Sequence, residues 1–244
     1  MTLNLLSVSD GDQNQETILP LRNMKKEKPL RVPRQIVVSA EPGEYVDKKV
    51  VAFKFYNSFN YSMIGKDHPA KLIIGVTSAN PSEGKTFIAC NLAASLSLGT
   101  RMNTVLVDLD TRKPRLHEVF GISARPGLVD ALGEDPIHVS STKIDHLSVL
   151  AAGDSRRTKM GLGDLSGFQE ILCSLKRQFE FVIVDMPSIT SREFPVNFTN
   201  LLTGIIIVID LKKTRRRDID KVFRKLPHDN VLGFVFNRVD EDDF

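Results

Sequence analysis

The sequence predicts an α/β fold built on a doubly wound, mostly parallel sheet. Short runs of β-branched and other apolar residues alternate with longer segments in which apolar residues recur every three or four positions. The first run is separated from the first helical segment by a loop that contains proline and glycine. With 244 residues, of which 41% are hydrophobic, the chain is long enough to bury one sizeable core.

Six short apolar runs predict buried parallel strands. They lie at residues 72–77, 104–108, 147–150, 181–185, 205–209 and 231–236. Three intervening segments have the spacing of helices, at residues 85–98, 166–177 and 215–226. This alternation of strand and helix favours crossover connections, which place helices on both faces of one sheet.

The N-terminal part of the chain differs in composition from the rest. Residues 1–40 are rich in polar residues and proline and show no sustained period, which predicts a mobile polar tail. A single domain is predicted at residues 41–244, and it begins with an amphipathic leading helix at residues 45–63. The most apolar run, at residues 201–211, is too short to cross a bilayer, so no membrane span is expected.

The loop between the first strand and the first helix has the pattern of a Walker A phosphate-binding loop. Such a site needs backbone N–H groups at a helix N-terminus, a lysine for the β and γ phosphates and a hydroxyl for magnesium. Gly84 allows the backbone to approach, Lys85 supplies the charge and Thr86 supplies the hydroxyl. The pattern also arises by chance, but its place between a strand and a helix favours phosphate binding. The residues expected to contact the nucleotide are Ala79, Asn80, Pro81, Ser82, Glu83, Gly84, Lys85, Thr86 and Phe87.

Three acidic residues follow two of the later strands. Asp108 and Asp110 come at the end of the second strand, and Asp185 ends a later one. A strand-end acid is often only a helix cap or a turn residue, but three behind one phosphate loop favour phosphoryl chemistry. The carboxyl ends of parallel strands are also where this fold gathers its ligands. The predicted metal ligands are Thr86, Asp108 and Asp185, and the predicted catalytic residues are Lys85, Asp108 and Asp110.

Together these motifs resemble the cytoplasmic module of bacterial tyrosine kinases of capsular and exopolysaccharide biosynthesis, which are P-loop proteins of the wider MinD and ParA group. The resemblance covers roughly residues 45–240. It rests on residues 77–86, 107–114 and 184–187, with further matches at 147–153, 214–216 and 231–238. It implies an ATP-dependent phosphotransferase or ATPase that uses ATP and Mg²⁺, with Asp108 as a catalytic acid beside Asp110 and with Asn237 at the nucleotide base.

The resemblance also implies a partner. Modules of this family work with a membrane-embedded chain-length regulator of polysaccharide export, either fused to it or as a separate chain. Because no span is predicted, this chain resembles the separate kind, located in the cytoplasm at the inner face of the cell membrane through that partner. Some family members form ring-shaped oligomers, and a homo-oligomer is left open here.

One departure from the family pattern, and one related group of ATPases, keep other functions open. The kinases usually end in a tyrosine-rich tail, whereas Tyr45, Tyr56 and Tyr61 all precede the first core strand. This favours a second hypothesis, in which the chain is a regulatory ATPase without tyrosine autokinase activity. A third hypothesis is a partitioning ATPase, but those proteins usually carry a lysine at the position of Asn80.

A basic run at residues 212–217 follows the 205–209 strand, although the net charge of the chain is only +3. A solvated helix start is the simplest interpretation, and docking of a neighbouring subunit or a membrane protein is the alternative. Nucleic acid is not expected as a partner, because no stacking aromatic residues interleave with these bases.

Overall fold

The computed structural model describes residues 36–38, 71–133, 136–153, 161–192, 194–226 and 230–239. The predicted leading helix at 45–63, the three tyrosines and the acidic segment 240–244 lie outside these ranges. The same is true of the predicted tail, apart from its residues 36–38.

The strands of the described ranges form one eight-stranded sheet in the spatial order β1-β8-β7-β2-β6-β3-β5-β4. Every pairing is parallel except that between β4 and β5. All six predicted strands are present, with bounds within one residue of those expected. The strands are β1 Ile36–Val38, β2 Leu72–Ser78, β3 Thr104–Asp108, β4 Ser140–Ser141, β5 Leu147–Leu150, β6 Phe181–Asp185, β7 Gly204–Asp210 and β8 Val231–Asn237.

The edge strand β1 was not predicted, because its three residues fall within the segment expected to be a tail. The run is too short to show a period of its own. It pairs in parallel with the end of β8, where Val38 lies opposite Asn237. Pairing with a neighbouring strand therefore decides its conformation, and the tail prediction does not hold for these three residues.

Helices cover the connections between the parallel strands. The three predicted helices are confirmed with ends shifted by one or two residues, and two further helices of four and five residues are too short to show a period. No helix in the described ranges is long and apolar enough to cross a membrane. The helices are α1 Lys85–Thr100, α2 Leu116–Phe120, α3 Leu128–Ala131, α4 Leu165–Gln178 and α5 Arg216–Lys225, with 3-10 turns at Leu162–Asp164 and Val196–Leu201.

Two apolar clusters form the core, and alternate residues of the central strands contribute to different clusters. Val105 and Val107 of β3 pack in the cluster that contains Phe168 of α4. Leu106 packs in the other cluster, with Leu92 of α1. Successive side chains of a strand point to opposite faces, so the sheet is covered on both sides. This explains why β2, β3, β6 and β7 are buried along their whole length.

The strand order brings the predicted site together at one edge of the sheet. Strands β2, β6 and β3 are neighbours, and in their register Asp185 lies opposite both Val76 and Asp108. Helix α1 begins shortly after β2 ends. The phosphate loop and the strand-end acids therefore meet at the carboxyl edge of the central strands.

Candidate nucleotide-binding site

The phosphate loop between β2 and α1 is shaped by two residues in the left-handed backbone region. Ser82 has a φ angle of 66° and Gly84 one of 98°. A Cβ atom on Gly84 would lie 2.2 Å from Nδ2 of Asn237, so a side chain here is opposed by both backbone strain and contact. The turn leads directly into α1, whose first N–H groups lack intrahelical partners and are suited to bind an anion.

Lys85, the first residue of α1, lies between two acids. Its Nζ atom is 2.9 Å from Oδ2 of Asp110 and 3.5 Å from Oδ1 of Asp185. Burial lowers the pKa of Lys85, but attraction to Asp185, Asp110 and Asp108 outweighs that effect, and its pKa is raised. The lysine is therefore charged at neutral pH and available to a phosphate group.

Asp185 at the end of β6 is almost fully buried. Burial is the main reason that its pKa is raised, while the neighbouring Lys85 and Thr86 act in the opposite direction. No donor in the described ranges hydrogen-bonds to its Oδ1 atom, although Lys85 lies at ion-pair distance. A buried carboxylate oxygen without a donor, close to a threonine hydroxyl, is the kind of ligand that Mg²⁺ takes, so these residues fit the predicted metal.

Asp108 has a different environment from the one its predicted role suggests. Its buried carboxylate accepts hydrogen bonds from the backbone N–H groups of Asp110 at 3.2 Å, Arg115 at 3.1 Å and Leu116 at 3.1 Å. It therefore caps the N-terminus of α2. Burial and the adjacent Asp185 together raise the pKa of Asp108 to about 8. The catalytic and metal-binding roles of Asp108 stay predictions, since its oxygens are already engaged by backbone groups.

Asp110, two residues further on, is the acid that reaches the open site. Its carboxylate contacts Lys85 through one oxygen and accepts the backbone N–H of Lys113 through the other, at 3.2 Å. Its side chain is 14% exposed, whereas Asp108 has no exposed surface. Of the two acids of this turn, Asp110 is thus the one that a bound ligand can touch.

These groups open into a pocket of about 830 Å³. The phosphate loop, the turn after β3, the segment after β6 and the end of β8 form its walls. Six of its lining residues are basic, and Asp110 is the only acid among them. The basic residues are Lys85, Arg112, Lys113, Arg115, Arg192 and Arg238. A pocket with this charge is suited to a polyanion such as a triphosphate.

The predicted site residues divide into two groups in the structure. Those that line the pocket are Pro81, Ser82, Gly84, Lys85, Thr86, Phe87 and Asp110. Those that do not line it are Ala79, Asn80, Glu83, Asp108, Asp185 and Asn237. Residues of the second group lie behind the pocket wall and support the residues that line it. Asn237, for example, is buried and donates from Nδ2 to the carbonyl of Glu83 at 2.9 Å. Its predicted contact with the base stays a prediction.

Most of the pocket's basic residues were not predicted from the sequence. Arg112 and Lys113 follow Asp110 closely, and their position beside this strand-end motif is the signal that could have identified them. Arg192 and Arg238 follow β6 and β8. Nothing local to these two arginines predicts that they face the phosphate loop, because only the strand order brings their segments there.

Comparisons with known proteins agree with this geometry. The family model "CobQ/CobB/MinD/ParA nucleotide binding domain" matches residues 74–244. Tyrosine-protein kinase CpsD of Streptococcus pneumoniae serotype 4 is 30% identical over 174 residues, which cover 69% of this chain and 76% of CpsD. The succinoglycan biosynthesis transport protein ExoP of Rhizobium meliloti is 28% identical over 176 residues, 69% of this chain but only 22% of ExoP.

Among solved structures, the VpsO kinase domain is 27% identical with a TM-score of 0.65, over 78% of this chain and 94% of that domain. The chain therefore spans nearly all of this solved kinase domain but less than a quarter of the length of ExoP. It belongs to the CobQ/CobB/MinD/ParA nucleotide-binding domain family, in the branch of the bacterial tyrosine kinases of capsule and exopolysaccharide biosynthesis.

Proposed function

We propose that this chain binds Mg·ATP in the basic pocket and transfers or hydrolyses the γ-phosphoryl group in the regulation of exopolysaccharide or capsule biosynthesis. The observation that carries the proposal is the position of Lys85. This buried, charged lysine lies at the start of α1, paired with Asp110 and Asp185 at the bottom of a pocket lined by further cations. A triphosphate would replace the acids as its partner.

Different residues of the site would contribute charge neutralisation, metal binding and orientation of the acceptor to such a reaction. Lys85 and the other basic residues of the pocket would neutralise phosphate charge, which is the main contribution a protein makes to phosphoryl transfer. Thr86 and Asp185 would hold the Mg²⁺ ion, which adds to that neutralisation. Asp110, whose side chain is partly exposed, would orient an attacking hydroxyl or water.

The acceptor separates two candidate functions. A protein hydroxyl as acceptor makes the chain a protein-tyrosine kinase like the relatives whose names say so. Water as acceptor makes it a regulatory ATPase. The second candidate is favoured by one observation, that the three tyrosines of this sequence all precede β2.

The proposed partner is the cytoplasmic segment of a membrane polysaccharide chain-length regulator, and the proposed location is the inner face of the cell membrane through that partner. One relative supports this, because ExoP is named as a succinoglycan biosynthesis transport protein. The basic run at 212–217, whose residues are largely exposed, is the surface that we propose for docking of this partner or of a neighbouring copy in a homo-oligomer.

Two measurements test the proposal. The first is calorimetric titration of Mg·ATP into the wild type and Lys85→Ala. Loss of a hydrogen-bonded charge should raise the Kd at least about thirtyfold. The control is Lys143→Ala, which removes an exposed lysine from the loop between β4 and β5 and should leave the Kd unchanged. Equal affinities in all three proteins would contradict the site assignment.

The second measurement follows γ-labelled ATP with and without a peptide from the regulator's cytoplasmic segment. Label on tyrosine of either protein supports a kinase, and free labelled phosphate alone supports a regulatory ATPase. Neither product, in a protein that binds Mg·ATP, would contradict phosphoryl chemistry and leave a nucleotide-binding module.

A further inference from the structure

A buried carboxylate lies inside the phosphate loop itself. The side chain of Glu83 is 1% exposed, and it accepts three hydrogen bonds. The donors are the backbone N–H of Asn80 at 2.8 Å, the Asn80 side-chain amide at 3.0 Å and the hydroxyl of Thr214 at 2.6 Å. All three donors are neutral, and no basic side chain of the described ranges lies at ion-pair distance from this carboxylate.

This arrangement is unfavourable for phosphate binding if only charge is considered. Burial of an ionised carboxylate opposes its solvation, and its charge repels a triphosphate bound to the same loop. The proposed catalysis makes no use of Glu83, since its side chain does not line the pocket. A contribution that favours binding must therefore come from the hydrogen bonds that Glu83 accepts.

Those hydrogen bonds join three loops that meet at the edge of the sheet. Asn80 in the phosphate loop accepts a hydrogen bond from the hydroxyl of Thr190 at 3.2 Å, and Thr190 lies in the segment after β6. Thr214 lies in the loop after β7, where its hydroxyl accepts the backbone N–H of Asp210 at 3.0 Å. Glu83 therefore ties the phosphate loop directly to the loop after β7, and through Asn80 to the segment after β6.

The connection continues to the wall of the pocket. Asp210 forms an ion pair with Arg238, and both Arg238 and Thr190 line the pocket. Thr214 itself stands within the basic run at residues 212–217, between Lys213 and Arg215. A movement of that run would thus act on the carboxylate that holds the phosphate loop.

We infer that Glu83 is a positioning residue, which holds the phosphate loop in its anion-binding shape by locking it to Thr214. The loop after β7 thereby sets the nucleotide affinity. The inference rests on the proposed binding of Mg·ATP. A positioning role and a purely electrostatic role of Glu83 predict opposite effects on the affinity for Mg·ATP. Removal of the negative charge alone would strengthen phosphate binding, whereas loss of the hydrogen bond to Thr214 weakens it.

The decisive variants are Glu83→Gln and Thr214→Val. In Glu83→Gln the carboxamide accepts through one atom only, and its N–H₂ group faces at least one of the donors from which the carboxylate accepts in the wild type. In Thr214→Val the shape of the side chain is kept and the hydroxyl is lost. Each should raise the Kd for Mg·ATP about tenfold, the fold-change typical of a lost hydrogen bond to a charged group.

Two further variants show whether the effect belongs to this contact. Thr214→Ser keeps the hydroxyl and should restore the Kd to within about twofold of the wild type. Thr203→Val removes a hydroxyl at the opposite end of β2, where it accepts the backbone N–H of Ile73 at 3.0 Å. It should lower the melting temperature and leave the Kd unchanged, because a merely structural threonine has no link to the loop.

Calorimetric titration with Mg·ATP well below the melting temperature gives the result for all five proteins. Weaker binding by Glu83→Gln and Thr214→Val, with recovery in Thr214→Ser, supports the inference. Wild-type affinity in Thr214→Val, or tighter binding by Glu83→Gln, would overturn it while leaving the nucleotide site intact. A wild type that binds no Mg·ATP would instead remove the proposed function, and the inference with it.

Discussion

The phosphate loop and the acid-bearing ends of β3 and β6 lie at the same edge of the sheet, yet they are stabilised in different ways. The loop is held by hydrogen bonds from neutral donors to the carboxylate of Glu83 and by a backbone conformation that Gly84 can adopt. At the strand ends, Asp108 and Asp185 lie side by side in register and are buried, and the pKa of each is raised. The hydrogen bonds of the phosphate loop are complete without a ligand. The strand ends, in contrast, carry neighbouring acids that a bound cation would stabilise.

This difference indicates what each region contributes. A loop whose internal hydrogen bonds are already formed without a ligand is preorganised, so little ordering opposes phosphate binding. Buried neighbouring carboxylates compete for protons and for Lys85, so their state changes when a metal ion or phosphate arrives. Changes to the loop should therefore affect shape first, and changes to the acids should affect charge and pH dependence first.

The largest expected effect on Mg·ATP binding comes from breaking the shape of the loop with Gly84→Ala. The φ angle of 98° strains any side chain, and the new Cβ atom would displace the Asn237 amide from the Glu83 carbonyl. We expect the free energy of unfolding to fall by about 2–4 kcal/mol and Mg·ATP binding to become undetectable. Urea unfolding and calorimetry measure these changes.

Gly163→Ala is the matched control for this prediction. Gly163 has open space around it and no positive φ angle, so alanine should change stability by less than about 0.5 kcal/mol. Equal stability of the two variants would show that the left-handed turn is not what shapes the loop.

The second prediction separates the two acids of the turn after β3. Asp110→Asn removes the charge that faces Lys85 in the pocket, and we expect steady-state turnover to fall about a hundredfold with binding largely kept. Asp108→Asn disturbs the cap of α2, so it should mainly reduce stability, by about 1–2 kcal/mol. The same loss of turnover in both variants, at equal stability, would contradict the division and restore the catalytic role predicted for Asp108.

Comparison of Asp108 with Asp110 also shows which features of the site could be predicted from the sequence. The strands, the phosphate loop and the strand-end acids could be predicted from local patterns. Runs of β-branched residues and the Gly84-Lys85-Thr86 triplet can be recognised from neighbouring residues alone. The environment of Asp108 could not be predicted in this way. Its carboxylate is satisfied by the backbone of residues seven and eight positions later, in a helix too short to show a period.

Other parts of the site depend on contacts between distant parts of the chain. Arg238 reaches the pocket because β8 pairs with β7, which in turn pairs with β2. Thr214 contacts Glu83 across 131 positions of sequence. The strand β1 depends likewise on the register of β8. Patterns in a window of a dozen residues carry no information about such pairings, since strand order is set by the packing of the whole sheet.

The third prediction concerns the pH dependence of the free energy of unfolding, which follows from the buried acid Asp108. An acid whose folded pKa is about 8 keeps its proton over a range in which the unfolded chain has lost it. The folded state then binds more protons, so the free energy of unfolding should fall as the pH rises from about 4 to about 8. For one proton the slope approaches about 1.4 kcal/mol per pH unit at its steepest.

Urea unfolding of the protein without nucleotide at pH 5 to 8 measures this slope. Asp108→Asn cannot titrate, so the difference in stability between it and the wild type should change in favour of the variant as the pH rises. Groups that do not interact with Asp108 are common to both proteins and cancel in that difference, whereas the contribution of the adjacent Asp185 changes with the charge at position 108 and is part of it. A difference that stays constant with pH would show that Asp108 titrates in its ordinary range.

The smallest expected effect is that of Ser82→Gly in the phosphate loop. This exposed residue has a φ angle of 66°, and no hydrogen bond joins its side chain to another residue of the described ranges. Ser82→Gly relieves about 1–2 kcal/mol of left-handed strain but increases the freedom of the unfolded chain by about 0.5–1 kcal/mol. The two nearly cancel, so we expect stabilisation by less than about 1 kcal/mol and an unchanged Kd for Mg·ATP. If the variant instead binds Mg·ATP much more weakly, the serine hydroxyl itself contacts the phosphates, and the loop's affinity would depend on a side chain as well as on its shape.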